Sequence, residues 1–404
     1  MQEKSIVVLG CFDTKGEDFT FLVDFLIKLK QPLITINVGV METLVDFDVH
    51  IGNDVVAAAS GVGLQAIRES GDRGKAVELM GKGAAEILAD LVSKNLVKGV
   101  IGMGGGGGTF IILEAMQKVT LGIPKLCLST VVAKELSRQI RVKDITMMSS
   151  VVDIAGLNRI SRLLIRQAAT AISAMSEVTE DSGLRKRKNI AISMFGNTTK
   201  CVDRCTELLK EKGYEVMAFH ATGVGGATME SLIREDVFDA ILDITTTELA
   251  DELCGGILSA GPDRLTAASE MGIPQLVVPG CLDMVNFAQI DTVPEEYQTR
   301  KLYSWAPDVT LMRTNISENK VLGEQLVEKL KNSTGPVEII IPLKGISQID
   351  NVGGVFYDPA ANNALFETVK VTARNKINVI EMDAHINDEA FAICLVEQLL
   401  KLLK

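Results

Sequence analysis

The chain has 404 residues, of which 47% are hydrophobic and only 4% aromatic, and its formal net charge is -11. This length suffices for two domains with aliphatic cores, and such an acidic chain is not expected to bind nucleic acid or anionic membranes non-specifically. No apolar run approaches the roughly 20 residues that a membrane helix needs, and the seven scattered cysteines indicate reduced thiols in a cytoplasmic protein.

The first part of the chain alternates between strand-like and helix-like runs. Strands are predicted at residues 5–10, 33–38, 98–101, 125–129 and 145–149, and the main helices at 19–29, 73–95, 110–119 and 153–175. Such alternation is typical of a doubly wound sheet with mainly parallel strands.

The loop after the first predicted strand contains Asp13, Thr14 and Lys15. Ligands of open α/β sheets bind at the carboxyl ends of the strands, so these three residues are candidates for binding a cofactor. The alternative is a capped helix start with a solvated lysine. A metal site near His50 is conceivable, but we predict none, because loop carboxylates are usually solvated.

A run of five glycines, Gly104 to Gly108, ends at Thr109 between a predicted strand and a predicted helix. Five glycines cost backbone entropy, but they let backbone N–H groups approach an anion at a helix N-terminus. We therefore predict a phosphate or carboxylate site made by Gly104, Gly105, Gly106, Gly107, Gly108 and Thr109. The alternative is a tight strand-to-helix turn without a ligand. A Walker A sequence is absent, since no Gly-Lys-Ser/Thr follows a glycine loop.

The charged stretch 177–188 separates this part from a second series of strands and helices. Strands are predicted there at residues 190–195, 214–219, 238–244, 275–278, 309–312, 337–341 and 377–382. The sequence thus predicts two doubly wound, Rossmann-like α/β lobes, residues 1–183 and 184–404, with mainly parallel sheets.

Polar loops follow several strands of the second lobe, and two such lobes usually face each other across a cleft. Candidate substrate contacts in these loops are Thr198, Thr199, Thr245, Thr246, Thr247, Asn286 and Lys344. Candidate catalytic residues are His385, Glu248 and Asp283. A histidine near carboxylates could act as a general base or bind metal; the alternative is a hydrogen-bonded histidine beside a helix cap.

Long motifs in both halves resemble one family. They are Gly10-x-x-Asp13-Thr14-Lys15-Gly16-Glu17, the glycine loop ending in Thr109, residues 149–158, residues 195–203, residues 243–253, residues 259–265, residues 279–287, residues 341–345 and residues 385–388. On these residues the chain resembles the uncharacterised family related to the ATP-binding domain of the tomato mosaic virus resistance protein.

The resemblance implies a two-lobed α/β protein that binds ATP on its N-terminal lobe, and it supplies no reaction. Because plant members carry a fused barrel-like domain, a separate barrel-like partner is also an expectation. Two departures fall in the N-terminal lobe. The family usually has a serine where this chain has Gly106, and a glycine-containing loop where residues 133–144 are charged.

Two functions remain open at this point. The first is a nucleotide-binding protein that takes ATP, with or without Mg²⁺, its phosphates cradled by residues 104–109 and neutralised by Lys15. The second is a metabolic enzyme acting on a small anionic substrate, such as a sugar acid or phosphorylated metabolite, in the cleft. A mean hydropathy of +0.23 and Ala-rich helices also lead us to expect a homodimer, the commonest oligomer.

Overall fold

A computed structural model describes residues 3–43, 45–178 and 188–404 of the chain. The chain divides into two compact units, residues 1–180 and 181–404. Most of the expected linker at 177–188, and the expected boundary between residues 183 and 184, lie outside the described residues.

The N-terminal unit is built on a sheet of five parallel strands in the order β2-β1-β3-β4-β5. Its strands are β1 (Ser5–Gly10), β2 (Leu33–Asn37), β3 (Val97–Gly104), β4 (Lys125–Ser129) and β5 (Ile145–Ser149). The side chains of β1 and β4 are buried along the whole strand, as expected for strands covered by helices on both faces.

Helices cover both faces of this sheet. They are α1 (Gly16–Lys28), α2 (Asn53–Ala59), α3 (Leu64–Glu69), α4 (Arg73–Ser93), α5 (Gly106–Met116), α6 (Ser137–Ile140) and α7 (Arg159–Ser176). One core lies between the sheet and α4 and α5, and another between the sheet and α1 and α7. The sequence did not predict α2 and α3, whose amphipathic runs are too short to show a clear period.

Helix α7 begins six residues later than predicted from the sequence. Asn158 caps it by accepting from the N–H groups of Ile160 and Ser161, at 2.9 and 3.0 Å. Gly156, just before this cap, has a φ of +99°, which is outside the helical region and leaves residues 153–157 as a loop.

The C-terminal unit has a sheet of six parallel strands in the order β14-β13-β9-β8-β6-β7, and a separate antiparallel sheet in the order β10-β12-β11. The parallel strands are β6 (Asn189–Met194), β7 (Glu215–His220), β8 (Ala240–Thr245), β9 (Gln275–Gly280), β13 (Val337–Pro342) and β14 (Asn378–Met382). The antiparallel strands are β10 (Met284–Phe287), β11 (Leu302–Ala306) and β12 (Val309–Arg313).

Two of the antiparallel strands, β10 and β11, were not predicted from the sequence. Asn286, placed in a polar loop by that prediction, lies in β10 with its side chain buried. The helices of this unit are α8 (Thr199–Glu211), α9 (Val224–Arg234), α10 (Glu248–Cys254), α11 (Ala267–Met271), α12 (Ile316–Leu330), α13 (Pro359–Ala373) and α14 (Glu389–Leu402).

Both parallel sheets follow one winding scheme. In each sheet the second strand lies on one side of the first, and the third, fourth and later strands follow on the other side. The direction in which successive strands are added to the sheet therefore reverses between β1 and β3 in one unit and between β6 and β8 in the other. Doubly wound sheets bind their ligands at such reversal points. The prediction of two Rossmann-like α/β lobes with mainly parallel sheets is confirmed.

Candidate functional site

The loops that follow β1 and β3 lie at the reversal point of the N-terminal sheet. They contain the two cofactor-binding segments predicted from the sequence, residues 13–15 and 104–109. Residues 13–15 and the five glycines at 104–108 border one cavity of about 590 Å³, and Thr109 does not line it. Cavities of roughly 300–1,000 Å³ are usual for small-molecule ligands.

The glycine run is partly strand, partly turn and partly helix. Strand β3 ends at Gly104, Gly105 is the extended N-cap, and α5 begins at Gly106. A Cβ on Gly104 would lie 2.8 Å from the backbone of Gly108 and Thr109, so this turn requires glycine. The first N–H groups of an α-helix have no partner within it, and the glycines that carry them here line the cavity.

Gly106 lies at the open part of this loop. A Cβ added there would meet no atom within 4 Å, whereas one added to Gly107 would lie 3.2 Å from a methyl carbon of Val77. The serine that the related family usually carries at position 106 therefore fits this backbone. The charged loop at residues 133–144 is not among the residues described as lining the cavity.

Thr109 is buried, and it faces the sheet. Its hydroxyl group lies 2.7 Å from the hydroxyl of Ser129 and 3.2 Å from the carbonyl oxygen of Gly104. These bonds fasten the start of α5 to β4, so Thr109 supports the loop while the glycines face the cavity.

The loop after β1 contributes one acidic and one basic side chain. Asp13 accepts from the backbone N–H groups of Thr14 and Met41, at 2.7 and 2.8 Å. The ammonium of Lys15 donates to the carbonyl oxygen of Ile154. Burial raises the pKa of the Cys11 thiol to about 12, Asp13 adds to the rise and Lys15 opposes it, so this cysteine is a neutral thiol in the cavity wall.

The rest of the cavity wall is apolar, with an edge that carries two arginines and the carboxylate of Asp72. Its apolar side chains are Val38, Val40, Met41, Ile67, Val77, Met80, Met103 and Ile111. Arg68 and Arg73 also line it, and the guanidinium of Arg68 donates to the carbonyl oxygens of Val40 and Met41. The wall thus joins an apolar surface to a glycine loop and to charged groups of both signs, which suits a ligand with an apolar part and a charged part.

The reversal point of the C-terminal sheet is closed by the protein itself. The hydroxyl groups of Thr198 and Thr245 are 2.8 Å apart, directly across it, and both side chains are fully buried. The carbonyl oxygen of Asn197 accepts from the N–H of Gln348 and from the side chain of Asn387. The segments after β13 and β14 therefore cover the crevice.

The other predicted substrate contacts of this unit are bonded within the protein. Thr199 donates to the carbonyl oxygens of Phe195 and Gly196, Thr246 to that of Val278, and Thr247 to that of Met284.

Asn286 is hydrogen-bonded to α10, the helix that carries Asp251. Its side chain donates to the carboxylate of Asp251 at 2.7 Å, and its backbone N–H donates to the same carboxylate at 3.0 Å. Burial raises the pKa of Asp251 to about 7, although the hydrogen bonds from Asn286 and Leu258 act in the opposite direction.

Glu248, the first residue of α10, is buried against a second glycine-rich loop, Gly223–Gly226. One of its carboxylate oxygens accepts from the N–H groups of Gly223 and Gly226, at 2.8 and 3.1 Å. The other accepts from Arg264 at 2.6 Å. An internal carboxylate thus occupies the N-terminus of α9, where an anionic ligand would otherwise bind.

Arg264 was not singled out as functional from the sequence, although it lies in one of the motifs. Its guanidinium is fully buried and pairs with Asp243 through two nitrogens, at 2.6 and 2.8 Å. It also contacts Glu230 at 3.2 Å. Although burial lowers it, the pKa of Arg264 stays above its ordinary value because of these carboxylates. The sequence signal that could have identified Arg264 is its position as the single arginine of the motif at residues 259–265.

Asp283 lies after β9, beside a second buried carboxylate. Its side chain accepts from the hydroxyl of Ser347 at 2.7 Å, and its other oxygen has no hydrogen-bond partner among the described residues. Burial and the charge of Asp350 raise the pKa of Asp283, and Arg313 opposes the rise. Asp283 is fully enclosed by protein.

His385 and Lys344 border a separate groove of about 780 Å³ at the ends of β13 and β14. The Nδ1 atom of His385 accepts from the N–H of Asn387 at 3.1 Å, and its Nε2 donates to the carbonyl oxygen of Ser347 at 2.9 Å. Both ring nitrogens are therefore occupied. Lys344 pairs at 2.9 Å with Asp383, and both side chains are largely exposed.

The described residues contain neither a metal-ligating cluster nor a membrane-spanning helix. They contain no group of three or more His, Cys, Asp or Glu side chains arranged to hold a metal ion. His50 instead bonds to Thr35. Among the same residues, no helix combines the length and apolar character required to cross a membrane.

Comparison with known proteins identifies the family. Models of the N- and C-terminal domains of an uncharacterised protein family, UPF0261, match residues 4–181 and 187–403. The chain belongs to the UPF0261 family. A UPF0261 protein of Clostridium tetani is 44% identical over 402 residues, which cover 99% of each chain.

Two further relatives differ in how much of their own length this chain covers. One, from Rhizobium meliloti, is 40% identical and is covered over 96% of both chains. The other is the ToMV resistance protein Tm-1(GCR237) of Solanum lycopersicum, 34% identical over 98% of this chain but only 55% of its own length. The family predicted from the sequence motifs is confirmed.

Proposed function

We propose that the N-terminal unit binds ATP, with or without Mg²⁺, in the cavity at the reversal point of its sheet. The observation that carries the proposal is that the loops after β1 and β3, with Lys15 and the open glycines, border one cavity of about 590 Å³. Doubly wound sheets with this strand order bind their ligands at the equivalent point.

The walls of the cavity match the two parts of a nucleotide. Backbone N–H groups at the N-terminus of α5 and the side chains of Lys15 and Arg73 would face the phosphates. The apolar wall, with Ile67, Val77 and Met80, would cover the base. The proposal concerns binding only, and it assigns no reaction to the protein.

No observation favours the second hypothesis, an enzyme built from the polar loops of the C-terminal unit. Glu248 and Asp283 are fully buried, and both ring nitrogens of His385 are bonded to backbone groups. The small anionic ligand expected from the sequence is therefore assigned to the N-terminal cavity. A cytoplasmic location, a homodimer and a barrel-like partner stay predictions.

Ligand-dependent thermal unfolding tests the proposal. A ligand that binds only the folded state stabilises it by about 2.7 kcal/mol at 100 times its Kd, so millimolar ATP should raise the midpoint by several degrees. Lys15→Met should reduce this shift. Lys98→Met is the matched control, because Lys98 pairs with Glu177 at 2.9 Å and does not line the cavity.

Separate ligands identify which part of the cavity is used. Adenosine tests the apolar wall, inorganic triphosphate tests the glycine loop, and ATP with and without magnesium tests the role of the ion. Gly106→Ser tests whether the serine usual in the family improves binding. If neither wild type nor Gly106→Ser responds to ATP under any of these conditions, the proposal is wrong.

A further inference from the structure

Two bonds fasten the loop after β5 to the start of α1. The ammonium of Lys15 donates to the carbonyl oxygen of Ile154, and the carboxylate of Asp18 accepts from the N–H of Gly156 at 3.1 Å. Residues 150–157, which we name the β5–α7 loop, thus depend on a lysine that also lines the cavity.

The β5–α7 loop is held in a strained conformation at its beginning. Val151 has a φ of +61°, and the N–H of Val152 donates to the carbonyl oxygen of Ser150 at 2.6 Å, which closes a γ-turn. Positive φ is unfavourable for a β-branched residue, and this kind of γ-turn is rare. The Val151 side chain is 75% exposed, so its packing does not compensate for the strain.

Hydrogen bonds and buried groups anchor the whole loop. At its beginning, the N–H of Ser150 donates to the carbonyl oxygen of Ser129 at 3.0 Å, and the hydroxyl of Ser150 donates to the carbonyl oxygen of Val152 at 2.6 Å. The side chain of Ile154 is buried in the core beside α1 and α7. Asp18 is buried as well, and its second carboxylate oxygen has no hydrogen-bond partner among the described residues. An acceptor is thus available next to the loop for an N–H group that changes position.

We propose that the conformation of the β5–α7 loop depends, through Lys15, on whether an anion occupies the cavity. A bound anion attracts the ammonium more strongly than the neutral carbonyl oxygen of Ile154 does, because attraction between two opposite charges is stronger than attraction between a charge and a dipole. Lys15 then leaves Ile154, and the γ-turn at Val151 relaxes. This inference rests on the proposed function, because it needs an anion in the cavity.

Hydrogen exchange of the full chain, followed by mass spectrometry, tests the inference. The measured peptides cover residues 150–157, and ATP binding is measured calorimetrically on the same samples. In wild type, ATP should make exchange in this loop several-fold faster. In Lys15→Met the exchange should already be fast without ATP, and ATP should not increase it further.

Two other variants complete the design. Lys98→Met should behave as wild type, because its lysine pairs with Glu177. Val151→Gly removes the strain, since glycine adopts positive φ freely, and should reduce the effect of ATP on exchange. This variant also keeps the test decisive if Lys15→Met does not fold.

The outcomes separate the two proposals. If ATP binds but exchange at residues 150–157 does not change, the loop inference is wrong and the proposed function stands. If Lys15→Met folds and exchanges as slowly as wild type, or Val151→Gly responds to ATP as wild type does, the inference is again wrong. If ATP does not bind, the proposed function fails and the inference fails with it.

Discussion

The molecule contains two glycine-rich loops that join a parallel strand to a helix, and they differ in what faces them. The loop at Gly104–Gly108 lines a cavity of the N-terminal unit. The loop at Gly223–Gly226 in the C-terminal unit donates two N–H groups to the carboxylate of Glu248. The helix after each loop has 11 residues.

This difference shows that a glycine loop does not by itself identify a ligand site. Both loops place N–H groups at a helix N-terminus, where negative charge is stabilised. In the C-terminal unit the negative charge comes from the chain itself, and a buried arginine neutralises it. A Cβ on Gly226 would lie 2.1 Å from a carboxylate oxygen of Glu248, so glycine there makes room for an internal group.

The largest loss of stability is expected from Arg264→Met, which would leave three buried carboxylates without their cation. Breaking a buried ion pair by removing one partner costs about 3–5 kcal/mol. Urea unfolding followed by tryptophan fluorescence measures it, because the single tryptophan, Trp305, lies in the C-terminal unit.

Arg234→Met is the control for this measurement. Arg234 pairs with Glu270 at 3.0 Å, and both side chains are substantially exposed, so its loss should cost less than about 1 kcal/mol. Equal losses for the two variants would contradict the role assigned to the buried cluster.

The next largest loss of stability is expected from Glu248→Ala, which removes the internal anion. It leaves the N–H groups of Gly223 and Gly226 without an acceptor, at a cost of about 2–3 kcal/mol. If the loop is an anion site, formate should restore part of the stability that chloride at equal ionic strength does not restore. Glu252→Ala, with an exposed side chain one turn further along α10, should show no response to formate.

In the N-terminal loop, two glycines should respond differently to alanine. Gly104→Ala brings a Cβ within 2.8 Å of backbone atoms and should cost about 1–3 kcal/mol. Gly106→Ala meets open space and should change stability by less than about 1 kcal/mol, in the stabilising direction. Thermal unfolding followed by circular dichroism compares them, and a similar loss for both would contradict the described turn.

A pH-dependent effect on stability is expected at Asp251, a buried carboxylate one turn beyond Glu248 that accepts hydrogen bonds from neutral donors. Burial raises its pKa from the ordinary value of 3.8 to about 7, so the folded state binds its proton more tightly than the unfolded state. Its contribution to stability is present below about pH 4 and is lost as the pH rises toward 7, with a slope of at most about 1.4 kcal/mol per pH unit.

Asp251→Asn lacks this titration. The stability of the variant relative to wild type should therefore increase from pH 4 to pH 7 and then remain constant. Urea unfolding at several pH values measures the difference, and a difference that does not change with pH would show that Asp251 does not titrate in this range.

Much of the fold followed from local patterns in the sequence. Every parallel strand was predicted within a few residues, because buried parallel strands are short aliphatic runs bounded by turn residues. The antiparallel strands β10 and β11 were missed, since residues 283–286 were interpreted as a polar loop and Leu302–Ala306 is largely exposed. Their pairing with β12 comes from tertiary contacts.

The candidate site was predictable to a different degree in each unit. Residues 13–15 and the glycines 104–108 were predicted as one site, and the structure places both at one cavity, because loops after neighbouring parallel strands lie at the same edge of the sheet. In the C-terminal unit the same rule selected loop residues whose side chains bond to one another or to the backbone.

The sequence alone determined which types of residue lie at the strand ends, since strand and helix periods and glycine runs are local properties. Only the tertiary structure decided which of the two glycine loops is open. Glu248 is 22 residues from Gly226 and 16 from Arg264 in the chain, and no local pattern records that a carboxylate and a guanidinium meet there. Packing brings them together, and the burial that follows requires the charges to pair.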